Sequence, residues 1–425
     1  MKKKFIALIM TFCMIGCLTG CGKAAGSESS AKEQGTTGED VIRIGVSGPT
    51  TGSSAEAGVH VNTGIQMAVD EVNTAGGIEV DGVTKKVEVI YYDTGSNAQT
   101  GLSNCEKLIT SDKVDFLFCE SFNSAVGIAT MELARKYDIP MATLEPVSSA
   151  ISDKIAEDLD TYKHFFKFGW DSGAYGETCS ETVLELVEEG SLSLPNKTIA
   201  VCADETDYGR SNIESVVSHL SEAGYTVVSE NYWEFGSTDL YSVITDIKNS
   251  GADMIFSCST TPATGVALIK QLKENGLSTM PHMAIYFPFQ PEFVEQIGSD
   301  AEKLLCTPMS VDTDNSESDK AFAEQIKAYN GDDITFDHMD GYSCTKVVLE
   351  SFKKAASLDA DKWTQAMLSE EGYDTPKGHI VFEASNHTTI TGDGYVPVKA
   401  AQIQSGVNYC VWPESSKTGE FIPFE

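Results

Sequence analysis

Short β-branched runs alternate with amphipathic segments of helical period along most of this chain, and the pattern runs through twice. Val-Ile-Arg-Ile-Gly-Val at 41–46 predicts a strand. Residues 62–73 predict a helix, with Ile65, Ala68, Val69 and Val72 at i, i+3, i+4 and i+7, Asn62 or Thr63 at its start and Gly76-Gly77 at its end. Strand patterns at 86–92, 114–119 and 140–144 alternate with helix patterns at 98–110 and 125–137. After a break at 151–167 the rhythm restarts. Strands at 198–203, 226–232, 252–258 and 281–286 alternate with helices at 211–223, 241–250 and 264–275, and Gly224 and Gly276 stand where two of these helices stop. Apolar strands separated by helices of this length predict parallel sheets covered on both faces, in two similar Rossmann-like α/β lobes. From about Phe289 the chain adds helices at 318–329 and 342–356 and a β-rich tail at 378–412.

The N-terminus reads as an export leader. Lys2, Lys3 and Lys4 precede an apolar run at 5–17 that is too short to span a bilayer as a stable helix. It ends in Leu18-Thr19-Gly20-Cys21, which resembles a bacterial lipobox: small residues suit a cleavage pocket, and the Cys21 thiol is the nucleophile that lipid transfer needs. An ordinary cleaved leader with an incidental Cys21 is the alternative. Residues 22–40 contain no Leu, Ile, Val, Phe, Tyr or Trp, so they predict a flexible tether with a reach of roughly 25 Å. The expected division is therefore a leader at 1–20, a lipidated tether at 21–40, a first lobe at 41–162 and 290–375, and a second lobe at 163–289 and 376–425.

A body of about 385 residues is too long for one compact core and fits two lobes. Loss of the leader's three lysines takes the formal charge from −33 to −36. A chain this acidic is repelled by phosphate backbones and anionic headgroups, so nucleic acid is excluded as a partner. Beyond Cys21 no apolar run approaches 18 residues, which leaves the lipid as the expected anchor. The body holds eight cysteines, with no C-x-x-C and no His at metal-ligand spacing, so no metal or cofactor is expected. Cys202 and Cys258 sit in strand-like runs, where Cys behaves as a small hydrophobe, and spacing alone pairs none of the eight. Asp312-x-Asp314-x-Ser316 begins like an EF-hand loop but carries Glu317 and Ala323 where Gly and Glu belong, and reads as a solvated acidic loop.

Ligands of open parallel sheets bind beyond the carboxyl ends of the strands, which points to the loops that begin at Ser47, Cys119, Leu144, Ala203, Cys258 and Tyr286. These loops hold no nucleophile elbow, zinc-protease motif, phosphate loop or dinucleotide fingerprint. They do hold polar groups at helix starts. Glu120-Ser121-Phe122-Asn123-Ser124 runs into a helix, and Thr260-Thr261-Pro262 repeats the arrangement in the second lobe. Free N–H groups and hydroxyls there suit a hydrogen-bonding solute, while plain N-capping by Asn123 or Ser124 is the structural alternative.

With these segments in order, the chain resembles the solute-binding proteins of ABC importers that share the type I periplasmic-binding fold, in the branch for branched-chain amino acids, amides and urea. The resemblance runs from about Val41 to Trp412. It rests on I-R-I-G-V-S-G-P-T-T-G from Ile42, A-V-D-E-V-N-T-A-G-G-I from Ala68, the strand end at Asp93, D-E-T-D-Y-G-R-S from Asp204, F-G-S-T-D-L from Phe235 and L-I-K-Q-L-K-E-N-G-L from Leu268. It implies two lobes joined by a hinge with a ligand cleft between them. It also implies ligand contacts from Ser121, Asn123, Ser124, Glu145, Pro146, Val147, Tyr208, Thr260, Thr261, Tyr286 and Phe287. Val147 stands where the family usually has Thr, Thr260 and Thr261 where the amino-acid binders carry Tyr, and Tyr286 and Phe287 where they carry an acid for the α-ammonium. Glu120 and Glu145 are the acids left to fill that role. Because the 284–289 loop carries no such acid and offers Tyr286, Phe287 and Phe289 instead, an amide, urea-like solute or aromatic acid is expected to bind better than leucine, isoleucine or valine. His387, in a tail segment that resembles the amide and urea binders, reads as a packing residue.

The expected function is a monomeric, non-enzymatic receptor on the outer face of the cell membrane. It is anchored by lipid on Cys21 and delivers a small polar solute to an ABC permease. The rivals are a sensory module of the same fold and an exported hydrolase with Cys119 or Ser121 as nucleophile. No His or Asp is placed by motif to activate either residue.

Overall fold

The computed structural model describes residues 41–424; the leader, Cys21 and the tether lie outside them. The first half of the chain lays down β1 (Val41–Gly48), α1 (Ala55–Thr74), β2 (Ile78–Val80), β3 (Val83–Asp93), α2 (Ala98–Lys107), β4 (Phe116–Glu120), α3 (Ser124–Thr130), β5 (Met141–Thr143), α4 (Ser149–Glu157) and β6 (Phe165–Lys167). Its sheet has the order β2-β3-β1-β4-β5-β6, parallel except for the β2–β3 hairpin. Ile42, Ile44, Val46, Phe116, Phe118 and Leu117 are wholly buried, which is why these strands read as nearly continuous apolar runs.

The chain then crosses to the second lobe. There it forms α5 (Ser172–Glu188), β7 (Thr198–Asp204), α6 (Asp207–Glu222), β8 (Thr226–Trp233), α7 (Tyr241–Ser250), β9 (Met254–Ser259), α8 (Pro262–Glu274), β10 (His282–Tyr286), α9 (Pro291–Ile297) and β11 (Leu305–Thr307). Gly224 and Gly276 take φ of 86° and 77° just beyond α6 and α8, conformations that cost a residue with a Cβ. Crossing back, it adds α10 (Glu317–Asn330), α11 (Phe336–Ala355), α12 (Ala360–Met367) and a hairpin of β12 (Tyr373–Thr375) and β13 (Gly378–Ile380). It finishes on the second sheet as β14 (Ala400–Gln404) and β15 (Val407–Trp412). The order there is β15-β14-β11-β10-β9-β7-β8, with β14 and β15 antiparallel.

Sheet membership moves three of the expected lobe limits. Phe165–Lys167, assigned by sequence to the second lobe, pairs with β5 in the first. Leu305–Thr307, expected in the first lobe, pairs with β10 in the second. The tail beyond 376 first covers the first lobe. Lys167 N–H donates to His387 O at 2.9 Å, Thr389 N–H donates to Lys167 O at 3.1 Å, and His387 stacks on Phe166 with centroids 4.5 Å apart. His387 is thus a packing residue, and burial pushes its pKa down. The helix expected from Asn62 or Thr63 begins at Ala55, the one expected from Tyr342 begins at Phe336, and the break at 151–167 holds most of α4 and all of β6.

Helices α1 and α11 touch backbone to backbone. A Cβ on Gly64 would lie 2.2 Å from His338 O, and one on Gly341 would lie 2.1 Å from Val61 O. This contact fixes the start of α11 beside the sheet's carboxyl end. The eight described cysteines are all buried and all free thiols. Asp312 Oδ1 accepts the Asn315 N–H at 3.0 Å, so the acidic loop is held by its own turn.

Candidate functional site

The carboxyl ends of the two sheets face a cavity of about 190 Å³ lined from both lobes. Of the residues expected there from sequence, Asn123, Ser124, Glu145, Val147, Tyr208, Thr260 and Tyr286 line it. Four others do not. Ser121 is buried beneath Gly48, where a Cβ would lie 1.8 Å from its Oγ. The Pro146 ring packs against Gly127. Thr261 turns inward and donates from Oγ1 to Thr264 Oγ1 at 2.8 Å. Phe287 packs edge-on against Phe293 with centroids 5.1 Å apart. Sequence reasoning missed Ser96, Phe122, Ala125, Tyr175, Thr206, Phe235 and Phe336.

The first-lobe wall is built on β4. Glu120, its last residue, is wholly buried, and its Oε1 accepts the N–H of Phe122 at 3.1 Å and of Asn123 at 3.0 Å. Burial pushes the carboxyl up to about 8 in spite of those two bonds. The anchored loop turns Phe122 to the cavity and lets Asn123 cap α3, its Oδ1 accepting from Val126 N–H at 3.3 Å. Ser124 Oγ accepts the Ser148 N–H at 3.3 Å, which ties this loop to the next.

Glu145 lies on that next loop, 6% exposed, and neither carboxylate oxygen has a hydrogen-bond partner in the protein. Burial first, then the charges of Asp337 and Asp340, hold its pKa well above the ordinary range, with Lys377 opposing. Lys377 itself is engaged elsewhere. Its Nζ lies 2.9 Å from Asp340 and sits over the Trp170 ring, 4.6 Å from the centroid. Trp170 stacks on Phe336 at 5.4 Å, which seats Phe336 in the cavity wall. The sequence-based premise that the cleft might lack an acid is therefore revised: the 284–289 loop brings none, and Glu145 brings one from the opposite lobe.

The second-lobe wall is aromatic. Thr206 Oγ1 accepts the Gly209 N–H at 3.0 Å and starts α6, which carries Tyr208 to the cavity. Tyr286 ends β10 with φ 73° and ψ −63°, a strained turn for a bulky residue. Its ring lies 6.4 Å from Tyr208 and, across the cleft, 6.0 Å from Phe122. Asp204 fixes the Thr260 backbone by accepting its N–H, and accepts Trp233 Nε1–H at 2.7 Å. Tyr208 Oη and Thr260 Oγ1 are buried without protein partners. Nearby, Ser149 and Ser211 bring their Oγ atoms within 3.0 Å across the lobes.

One His/Asp group gathers outside the cavity. His60, Asp332 and His338 place ligand-type atoms within 4.8 Å of one another. His338 Nδ1, however, accepts the Thr335 N–H at 3.2 Å, so the ring proton sits on Nε2 and that nitrogen has no lone pair for a metal. Among the described residues no helix is long and apolar enough to cross a membrane.

Comparison with known proteins agrees with this architecture. A family model described as periplasmic binding protein matches residues 41–406. The leucine-, isoleucine-, valine-, threonine- and alanine-binding protein of Pseudomonas aeruginosa is 25% identical over 345 residues, covering 81% of this chain and 86% of that protein. The branched-chain amino acid transporter substrate-binding protein of Streptococcus pneumoniae, solved with isoleucine, superposes with a TM-score of 0.72 at 21% identity, covering 88% of this chain and 100% of that one. A solute-binding protein of an ABC transporter from R. palustris, solved with benzoate, superposes with a TM-score of 0.75 at 15% identity over 90% of this chain and 99% of that one. Two lobes, a shared cavity at the strand ends and a family match that runs from β1 past β14 make this chain a member of the periplasmic binding protein family, in its type I fold.

Proposed function

We propose that the chain is a lipid-anchored receptor on the outer face of the cell membrane that captures a small organic solute and presents it to an ABC importer. The single observation that carries this reading is the cavity itself: it is walled by both lobes at the carboxyl ends of both sheets, so a solute there is half held by each. The chain passes between lobes three times, at 167–172, 307–317 and 389–400. Lobes joined in this way hinge, and a ligand that touches both favours the closed form by its differential contacts. Closure shields the hydrogen bonds of the lining groups from water and forms one surface for a permease to read. The candidate contacts are Asn123, Ser124, Glu145, Val147, Tyr208, Thr260 and Tyr286, with Phe122 and Phe336 as added walls.

Amino acids and small aromatic acids are the solute classes bound by the named relatives, and amides and urea-like solutes are those the sequence resemblance adds. The Cys21 anchor and a monomeric state belong to the same proposal. No covalent step is assigned to the cavity: Cys119 is buried, and burial pushes its thiol up to about 12, which leaves no nucleophilic thiolate there at neutral pH. The test is calorimetry and thermal shift across those classes, with recovery of the solute afterwards. A receptor is stabilised by about 2.7 kcal/mol at 100 times Kd and returns the solute unchanged. A converted solute would overturn the reading.

A further inference from the structure

We propose that this cavity selects an organic cation, with a protonated nitrogen seated on the Glu145 carboxylate and enclosed by the faces of Phe122, Tyr208, Tyr286 and Phe336. The inference rests on the receptor reading and names its solute class. Among the lining residues there is no Lys, Arg or His, and the one ionisable acid is Glu145. Both Glu145 oxygens are buried and unpartnered, as is Asp337 Oδ1 on the residue after Phe336. Lys377, whose charge acts on Glu145, is committed to Asp340 and to the Trp170 and Phe336 rings. With no protein cation against either oxygen, burial keeps the Glu145 proton in place, and a bound cation supplies the counter-charge that lets the carboxyl release it. The aromatic walls supply the second half of the recognition, because ring faces attract a desolvated cation.

The same features act against anions. A bound carboxylate would find no Lys, Arg or His in the lining to pair with, and the one nearby ammonium, Lys377, is held by Asp340. The volume of about 190 Å³ sets the size, since a cavity of about 150 Å³ already holds benzene. The solute is then a compact amine, amidine or guanidine of about one ring, and a carboxylate on it is dispensable.

The experiment is calorimetric titration of the full-length protein in detergent with three probes of one shape, benzylamine, benzamide and benzoate, and with leucine as the zwitterion. Benzylamine should bind at least tenfold tighter than benzamide and at least a hundredfold tighter than benzoate. In Glu145→Gln, benzylamine should weaken at least tenfold while benzamide stays within threefold. Should that variant fail to fold, the order of the probes on the unmodified protein decides alone. Benzoate or benzamide binding tighter than benzylamine, or leucine binding with benzylamine silent, overturns the cation and leaves the receptor standing. Silence of all four probes and of the common amino acids overturns both.

Discussion

Glu120 offers a sharp test of the electrostatics at the cleft, because its penalty is large and its removal is nearly isosteric. The carboxyl is wholly buried at the end of β4, with Oε1 accepting two backbone N–H bonds and Oε2 without a partner. Burial raises its pKa from 4.5 to about 8. In the unfolded chain the group ionises near 4.5; in the folded protein it holds its proton until about pH 8. The unfolded state therefore binds fewer protons over that window, and stability falls as pH rises through it. At roughly 1.4 kcal/mol per unit, the whole penalty is about 5 kcal/mol, most of which develops between pH 5 and pH 8. Glu120→Gln keeps an oxygen for the two N–H groups and removes the titration. Urea unfolding of both proteins at pH 5, 6, 7 and 8 should show the variant gaining on the parent by about 1.4 kcal/mol per pH unit in the middle of the range. Parallel curves across that range would refute the argument that burial, rather than the two N–H bonds, governs this carboxyl.

Three further outcomes follow from the same structure. Tyr208→Ala removes an aromatic wall and should weaken the identified solute at least tenfold, about 1.4 kcal/mol, by calorimetry, with the fold intact by circular dichroism. Gly64→Ala sets a methyl 2.2 Å from the His338 carbonyl and should cost about 2 kcal/mol or more in urea unfolding, because two helix backbones must part. Cys21→Ala should abolish incorporation of labelled fatty acid and leave the protein unprocessed or shed; labelling that persists would refute the lipid anchor.

The fold was largely legible because it depends on period and apolar runs. Helix Tyr241–Ser250 fell where its pattern placed it, and the eight expected strands fell within about three residues of theirs, while the three-residue strands β2, β6 and β11 were too short to give a pattern. Helix α5 was not expected, although Tyr175, Cys179, Val183 and Leu186 on its buried side stand at i, i+4, i+8 and i+11; the small groups Gly176, Thr178, Ser180 and Thr182 beside them dilute that period. Helix α1 was shortened for a related reason, since its first buried turns rest on Ala57 and Gly58. The cleft was half legible. Strand ends pointed to the loops and, by its polar helix start, to Asn123; the resemblance singled out Glu145, Tyr208 and Tyr286. Phe336 lies almost two hundred residues beyond Glu145 and reaches the cavity through the backbone contact of α1 with α11 and its stack on Trp170, which no local pattern announces. Ser121, Pro146, Thr261 and Phe287 lie on the right loops but face the protein interior. Loop position alone does not separate a lining side chain from one that holds the loop.

The late return of the chain to both sheets has a consequence for biogenesis. The outer edge of the first sheet is closed by His387 and Thr389 on Lys167, and β11 of the second is covered by Ala401 and Gln402. Neither lobe can seal its sheet until nearly the whole polypeptide has left the ribosome. Pairings of such long sequence separation form slowly, because the intervening loops must close first. A nascent chain of this topology stays open while it is being made, the condition in which a polypeptide threads a secretion channel. If the chain is exported as proposed, this topology would leave both sheets unsealed until residues 387–402 have crossed and paired.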